Sequence, residues 1–177
     1  MKEPRAEQVA ALLASRIPQP QTSSLGRLFD AISSLCGLCQ EATFEAKAPL
    51  LLEAAAETTD APYDFSFTNG IIGTSGILQG VAADLDMGVG VGQIAGRFHE
   101  TVATIVCACA RAIRKESGLN TVFLSGGAMM NRILCSRIPF RLQQDGFLVH
   151  THALLPPNDG GVAAGQALVA AARSSGG

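Results

Sequence analysis

One amphipathic segment in the second half of the sequence constrains the fold more than any other feature. Apolar residues recur there at intervals of three and four, which is the spacing of one face of a helix. Basic residues gather near its end and Gly118 follows, as is typical of a helix C-terminus. The apolar positions are Ile94, Phe98, Val102, Ile105, Val106, Cys109 and Ile113. The pattern predicts a long helix that packs this face against a sheet.

Two strand, turn and helix units follow this helix. Thr121–Leu124 is an apolar strand candidate, and Ser125-Gly-Gly127 leads at once into a further helix. Phe147–His150 is the second strand, and Pro156–Gly161 precedes an Ala-rich helix over 162–172. Because strands that alternate with helices usually run parallel, the sequence predicts a layered α/β fold with at least part of the sheet parallel.

The first half of the chain is mostly helical in its pattern. Thr22–Ser24 offers an N-cap for a helix over Gly26–Leu35. A second helical region is predicted from about Thr43 to Glu57, with a break or restart at Pro49. Asp64–Phe67 alternates like a short strand.

The composition is that of one globular domain. The chain has 177 residues, 47% of them hydrophobic and 16% charged. The formal net charge is −2 and the basic residues are scattered, so no nucleic-acid partner is expected. No apolar run approaches the roughly 20 residues of a membrane span, and Met1–Glu7 lacks a signal-peptide pattern. A cytoplasmic protein without a membrane partner is therefore expected.

The cysteines are odd in number and lie in apolar surroundings. The five are Cys36, Cys39, Cys107, Cys109 and Cys135. This usage is typical of reduced thiols packed in a core. Cys36 and Cys39 form a lone Cys-x-x-Cys pair, and a zinc or redox site there is the alternative, although tetrahedral zinc needs two further ligands.

A pair of glycines at a strand-to-helix turn is the first candidate binding site. At Ser125-Gly126-Gly127 the backbone N–H groups can approach an anion, and a helix N-terminus adds partial positive charge, which suits a phosphate. Asn131 lies about one helical turn after Gly127, so its amide is expected to face the same ligand and bond to a ribose or base. A plain turn is the alternative.

Other polar residues are candidate ligand-binding residues, and three of them have two interpretations each. Asn158 and Asp159 stand at a second glycine-rich helix start, where Asn158 is assigned to nucleotide binding. Asp159 is either an ordinary N-cap or a carboxylate that binds a cation in a cleft between the two loops. Asp30 is either a solvated helix acid or an acceptor for a ribose diol, and Glu45 is either a surface or a sugar-binding residue. His99 is expected to be a buried or rim histidine, not a ligand.

Five segments occur together in the order and approximate spacing of the HypF family, which the chain resembles over nearly its whole length. Any one segment is common, but five in register are specific. The segments are Thr22–Ala31, Thr43–Ala46, Ala95–Glu100, Leu124–Arg132 and Pro156–Gly161.

The resemblance implies a fold. HypF proteins end in an actin-like, sugar-kinase-like (ASKHA, ribonuclease H-like) domain related to TsaD, the tRNA threonylcarbamoyl transferase. The chain would be its second lobe, an α/β unit rich in helix with a small mixed sheet. A single lobe would span 1–177, with a helical ribose-side segment over 17–60, an α/β core with the nucleotide loops over 90–173 and a tail over 174–177.

The resemblance also implies an activity and residue roles. HypF proteins convert carbamoyl phosphate and ATP into carbamoyl adenylate and pass the carbamoyl group to the C-terminal cysteine of HypE, in the maturation of nickel–iron hydrogenase. Asp30 would contact the ribose, Ser125–Gly127 and Asn131 would hold the nucleotide, and Asp159 would supply one metal ligand. The expected partner is a HypE-like acceptor protein, whose thiolate would be the nucleophile, so no catalytic residue is assigned to this chain.

Parts of the family pattern are missing. The family has an upstream lobe with a His-x-x-x-His metal motif, as well as acylphosphatase-like, zinc-finger and adenylate-forming domains. A divalent metal, Fe or Zn, is therefore expected only in the complete two-lobed domain. The missing N-terminal HypF segment or lobe, or a second copy of the chain, is an expected partner, and Ile17–Pro20 suggests that the chain begins partway into a larger domain.

Two alternatives remain open. Asp64–Phe67 is similar to a run in TsaD proteins, which would make the chain a lobe of a tRNA-modifying enzyme. Ala46 stands where the HypF family is expected to have Gly, which is compatible with a degenerate lobe that binds nucleotide or a partner without turnover.

Overall fold

The computed structural model describes residues 4–15, 17–18 and 21–174, and these ranges form seven α-helices and four short strands. The helices are α1 (Pro4–Ala14), α2 (Leu25–Leu35), α3 (Lys47–Ala55), α4 (Ser75–Asp86), α5 (Val91–Ser117), α6 (Arg132–Gln144) and α7 (Val162–Ser174). The strands are β1 (Ser66–Thr68), β2 (Ile71–Gly73), β3 (Thr121–Phe123) and β4 (Leu148–His150). Within these ranges, no helix is both long and apolar enough to cross a membrane.

The strands form two separate sheets. β1 and β2 are antiparallel, with Phe67 opposite Ile72, and the two-residue turn between them has positive φ at Asn69 and Gly70, as tight hairpins require. β3 and β4 are parallel, with Val122 opposite Val149, and α6 provides the crossover between them. The helix-rich α/β class is therefore confirmed, while the small sheet is divided in two, because the local turn pairs β1 with β2 alone.

Helix α5 lies at the centre of the fold. Its buried stretch runs from Ile94 to Cys107, and Gly118 ends it with φ +73°, as the sequence predicts. Its main neighbours are α3, α4 and α6. The expectation that α5 packs mainly against a sheet is therefore wrong, because strands of three residues offer too little surface to cover a helix of 27 residues.

A buried ion cluster joins α5 to α6. The Glu100 carboxylate, on α5, forms ion pairs with Arg137 and Arg141 of α6. Thr104 donates to the same carboxylate at 3.3 Å, and Arg137 also donates to the carbonyl oxygen of Thr59 at 2.7 Å. A buried carboxylate is costly unless it is paired and hydrogen-bonded, so these contacts fix the register between the two helices.

A second cluster attaches the loop before β1 to α4 and α5. The Tyr63 hydroxyl donates to Asp84 Oδ2 at 2.6 Å, and Arg97 contacts the same oxygen at 2.6 Å. The Arg97 guanidinium also lies over the Tyr63 ring, 4.1 Å from its centroid. Burial, followed by the hydrogen bond to Asp84, raises the pKa of the Tyr63 phenol, so the hydroxyl remains a donor.

The cysteines are free thiols. Cys36, Cys39 and Cys107 are buried and Cys109 is half-buried, which confirms the packed interpretation for four of the five, whereas Cys135 is exposed. Burial raises the pKa of the Cys36, Cys107 and Cys109 thiols, which keeps them protonated and unreactive near neutral pH.

Several predicted boundaries are wrong. The helix expected from Thr43 begins only at Lys47, and Pro49 does not break it. As the third residue of α3, Pro49 lies where helical N–H groups have no intrahelical partner, so its missing donor costs nothing. The strand at Asp64–Phe67 begins only at Ser66, and the sequence analysis missed both β2 and α4.

The expected tail over 174–177 falls partly within the fold. Ser174 is the last residue of α7, and its hydroxyl donates to the Ala170 carbonyl oxygen at 3.0 Å. The other three residues of the predicted tail lie outside the described ranges.

Ala46 has a left-handed backbone, with φ +62° and ψ +14°, directly before α3. A Cβ atom is strained in this region, whereas glycine adopts it freely. Ala46→Gly should therefore raise the free energy of unfolding by roughly 0.5–1 kcal/mol, measured by urea denaturation. The matched control is Ala82→Gly on the exposed surface of α4, which should lower it by about 0.5–1 kcal/mol. A loss of stability with Ala46→Gly would contradict the assigned backbone.

Candidate functional site

A cavity of about 450 Å³ lies between α2, α3 and the turn after β3. Four of the residues predicted from the sequence line it: Glu45, Gly126, Gly127 and Asn131. The remaining lining combines apolar side chains with a few polar ones, a mixture common in small-molecule sites. Among these other residues are Ser24, Leu25, Arg27, Pro49, Leu50, Glu53 and Met130.

The turn after β3 presents open backbone donors to the cavity. Gly126 has φ +97°, and its N–H donates to the Pro157 carbonyl oxygen at 2.8 Å, which ties this turn to the loop before α7. A short 3-10 turn then runs over Gly127–Met130. Among the described residues, the backbone N–H groups of Gly127 and Ala128 have no hydrogen-bond acceptor, and both residues line the cavity. Two adjacent free N–H groups at a helical turn suit an anion.

Asn131 lies in the predicted place but in a different geometry. The helix expected directly after Gly127 begins only at Arg132, because the 3-10 turn intervenes, so Asn131 is the N-cap of α6. Its Oδ1 atom accepts from the N–H groups of Ile133 and Leu134, both at 3.1 Å. Its Nδ2 atom lies 2.9 Å from His99 Nε2. Most of the hydrogen-bonding capacity of Asn131 is therefore used within the protein.

Glu53 is a cavity residue that the sequence analysis missed. Its carboxylate accepts from the backbone N–H of Arg132 at 3.1 Å. Together with Asn131, it satisfies the first three N–H groups of α6, so this helix N-terminus is not open to an anionic ligand. The signal available in the sequence was a single acid within the apolar run Pro49–Ala56.

The two remaining acids on the α2 and α3 side differ in position. Glu45 is exposed and lines the cavity. Asp30 does not line it, and its carboxylate pairs with Arg27 at 2.8 Å, so that Arg27 is the part of this ion pair that reaches the cavity. A contact between Asp30 and a ribose stays a prediction.

Ser125 lies at the rim and does not line the cavity. Its hydroxyl is exposed, 2.9 Å from His152 Nε2 and 3.4 Å from the Pro157 carbonyl oxygen. These contacts hold Ser125 against the loop that precedes α7. Its role in nucleotide binding stays a prediction.

Asn158 and Asp159 are exposed and lie outside the cavity lining. The interpretation of Asp159 as an N-cap is wrong, because Asn158 fills that position: its Oδ1 accepts from the Gly160 N–H at 3.1 Å. In the described part of the chain, no three His, Cys, Asp or Glu residues cluster as a metal site would require. The role of Asp159 as a single metal ligand stays a prediction.

Apolar side chains are exposed on the β3–β4 sheet and on helix α7. On the β3–β4 sheet, Phe123 is 75% exposed and Leu148 is 57% exposed, and the His150 ring stacks on Phe123 with a centroid distance of 4.6 Å. Helix α7 has no buried residue, and Leu168 is 70% exposed. We call Phe123, Leu148, His150 and α7 the open face.

The helix-rich α/β fold with two glycine-rich loops is that of the second lobe of an actin-like domain. Residues 1–166 match the family model described as carbamoyltransferase, Kae1-like domain, second subdomain. The chain belongs to the HypF carbamoyltransferase family.

The relatives are much longer than this chain. The carbamoyltransferase HypF of Rhodobacter capsulatus is 35% identical over 163 residues, which cover 92% of the chain and 21% of the relative. The carbamoyltransferase HypF2 of Cupriavidus necator is 30% identical over 204 residues, covering 98% and 25%. A HypF homolog of the same organism is 35% identical over 184 residues, covering 96% and 45%. The chain thus spans between about a fifth and a half of the length of these relatives.

Solved structures agree with this assignment. A full-length HypF in its phosphate- and nucleotide-bound form matches with a TM-score of 0.88 and 33% identity, covering 96% of this chain and 23% of that one. HypF from T. kodakarensis matches with a TM-score of 0.80 and 24% identity, which supports the fold.

Alanine substitutions of Gly126 and Gly127 test the backbone conformation of the turn after β3. Gly126 has a backbone conformation open almost only to glycine, so Gly126→Ala should lower the free energy of unfolding by about 1–3 kcal/mol. Gly127 has open space around its Cβ position, so Gly127→Ala should change stability by less than about 0.5 kcal/mol. Thermal denaturation of the two variants checks this, and equal effects would argue against the geometry of the turn.

Proposed function

We propose that this chain supplies the nucleotide-binding half of a HypF-type carbamoyltransferase site and holds carbamoyl adenylate, the product of carbamoyl phosphate and ATP. The proposal rests on one observation: Glu45, which is distant in sequence, lines the same cavity as Gly126, Gly127 and Asn131. A relative with the same fold was solved in a phosphate- and nucleotide-bound form, which supports the ligand class.

Each part of an adenylate has a matching group in the cavity. The phosphate is assigned to the N–H groups of Gly127 and Ala128, since both are unused donors on a helical turn. The ribose diol is assigned to Glu45, because a carboxylate accepts two hydroxyl hydrogen bonds. The base is assigned to the apolar wall that includes Leu25 and Leu50.

The proposed reaction is transfer of a carbamoyl group from a mixed anhydride to a thiolate. The acceptor is the C-terminal cysteine of a HypE-like protein: its sulfur forms a bond to the carbamoyl carbon, the bond from that carbon to the phosphate oxygen breaks, and AMP leaves. The contribution of this chain is to orient the adenylate and to donate hydrogen bonds to the phosphate as negative charge returns to it. The product feeds the maturation of nickel–iron hydrogenase.

A divalent metal, Fe or Zn, belongs to this proposal only in the complete two-lobed domain. Asp159 is the assigned ligand from this chain, and one carboxylate alone does not satisfy either metal. No step above depends on the metal.

The open face is assigned to the rest of the Kae1-like domain. The relatives are longer than this chain, which spans 21% and 25% of two of them. An apolar sheet face with an unpacked helix is typical of a surface that another part of the same protein covers. A second copy of this chain is the alternative occupant of this face.

Ala46 bears on whether the lobe is degenerate. Its φ of +62° is the conformation that glycine adopts most easily, so the backbone expected for a Glu-Gly pair is retained despite the substitution. The change adds one methyl group beside the cavity. This favours a working site over a decayed one.

Calorimetry with AMP tests the nucleotide assignment. The chain should bind AMP, and Glu45→Ala should weaken binding about tenfold, because the hydrogen bonds to the ribose are lost. Adenine, which lacks the ribose, should bind Glu45→Ala and the wild type equally. Glu116→Ala, an exposed acid at the far end of α5, is the matched control and should leave AMP affinity unchanged. If the folded chain does not bind AMP at millimolar AMP concentration, the proposal is wrong for the isolated lobe.

Fluorescence of the apolar dye ANS tests the open face. The wild-type chain should bind the dye, and Phe123→Thr should reduce the signal, because Phe123 is the most exposed aromatic side chain of that face. Met87→Thr, which removes a side chain of similar exposure (71%) at the end of α4, should have little effect. Equal signals from both variants would contradict the assignment. Sedimentation velocity of the same samples separates a dimer, the alternative occupant, from a monomer.

A further inference from the structure

The His99 imidazole is fully buried and has a partner on each ring nitrogen. Nδ1 lies 2.7 Å from the carbonyl oxygen of Ala95, one turn earlier on α5, and Nε2 lies 2.9 Å from Asn131 Nδ2. The ring is edge-on to Phe29 and Phe98, at centroid distances of 5.3 and 6.1 Å. His99 therefore links the central helix to a residue that lines the cavity.

These partners determine the tautomer. A carbonyl oxygen only accepts hydrogen bonds, so Nδ1 must carry the proton. In a neutral ring Nε2 is then bare and accepts, and its partner must be the amide nitrogen of Asn131. The amide oxygen then points to the other side, where it accepts from Ile133 and Leu134 at 3.1 Å. The contacts of the amide nitrogen and those of the amide oxygen therefore require the same orientation of the Asn131 side chain.

Burial keeps the ring neutral. The pKa of His99 is lowered mainly by desolvation and further by the charge of Arg137, while the hydrogen bond to Ala95 and the charge of Glu53 oppose the shift. These are the groups that face the ring from α3, α5 and α6. A neutral ring agrees with the assignment of Nε2 as an acceptor.

We infer that His99 is a positioning residue that fixes the amide of Asn131, so that Asn131 offers the cavity an N–H donor and no acceptor. The amide oxygen already accepts two hydrogen bonds, and one amide hydrogen is used by His99. Among the contacts of the described residues, the second amide hydrogen has no acceptor. A ligand atom opposite Asn131 must then be an acceptor, such as a phosphate, ribose or ring-nitrogen lone pair. That this ligand is a nucleotide rests on the proposed function.

Nuclear magnetic resonance of the ligand-free chain tests the geometry directly. Long-range proton–nitrogen correlations should show Nδ1 protonated and Nε2 bare at neutral pH. In His99→Leu, the side-chain amide signals of Asn131 should shift strongly, since their partner is gone. The inference is overturned if Nε2 carries the proton in the wild type, or if the Asn131 signals do not respond.

AMP binding tests the consequence with a pair of substitutions. His99→Leu removes the acceptor and should weaken AMP binding about tenfold, whereas His99→Gln, whose side-chain oxygen can accept from Asn131, should retain most of the affinity. A purely structural role predicts that AMP affinity follows stability, so both variants are also measured by urea denaturation. Equal losses of affinity in the two variants would overturn the inference. If the wild type binds no AMP but the resonance results are as expected, the proposed function fails and the positioning role stands.

Discussion

The carboxylate of Glu100 lies buried on α5 between Arg137 and Arg141 of α6, and the rest of the site depends on this arrangement. A buried charge loses several kcal/mol of hydration, which only well-placed partners offset, so α6 can pack on α5 in one register only. That register brings the first turn of α6 over His99. The position of Asn131, and with it the turn that lines the cavity, follows from an ion cluster that does not itself touch the cavity.

The N–H groups at the start of α6 are hydrogen-bonded within the protein, whereas N–H groups of the preceding turn have no acceptor among the described residues. Asn131 and Glu53 accept from the first three N–H groups of α6, which removes that terminus from the set of anion sites. The N–H groups of Gly127 and Ala128 have no acceptor within the described ranges. In the proposed function, the phosphate binds to this turn of four residues, in the cavity that Glu45 and an apolar wall also line.

The chain matches one subdomain of a family whose members are longer. Its interior is well formed around α5, yet Phe123 and the whole of α7 remain outside the core. The chain spans 21% of the length of one relative and 45% of another. In the proposed assembly, the rest of the longer protein covers the open face and supplies the further metal ligands.

The sequence by itself determined the family and many of the local elements, although not β2 or α4. Periodicity located α5 and α2, the glycines located the ends of α5 and β3, and five motifs in register identified the family, because these signals depend on neighbouring residues. It also predicted Glu45, Gly126, Gly127 and Asn131, which line one cavity. Only the tertiary structure decided that α5 packs on helices, that Asp30 is turned to Arg27, and that Glu53 and His99 belong beside the cavity. The physical reason is that Glu53 and His99 act on α6 from α3 and α5, and contacts between residues 32 and 79 positions apart leave no periodic trace in the sequence.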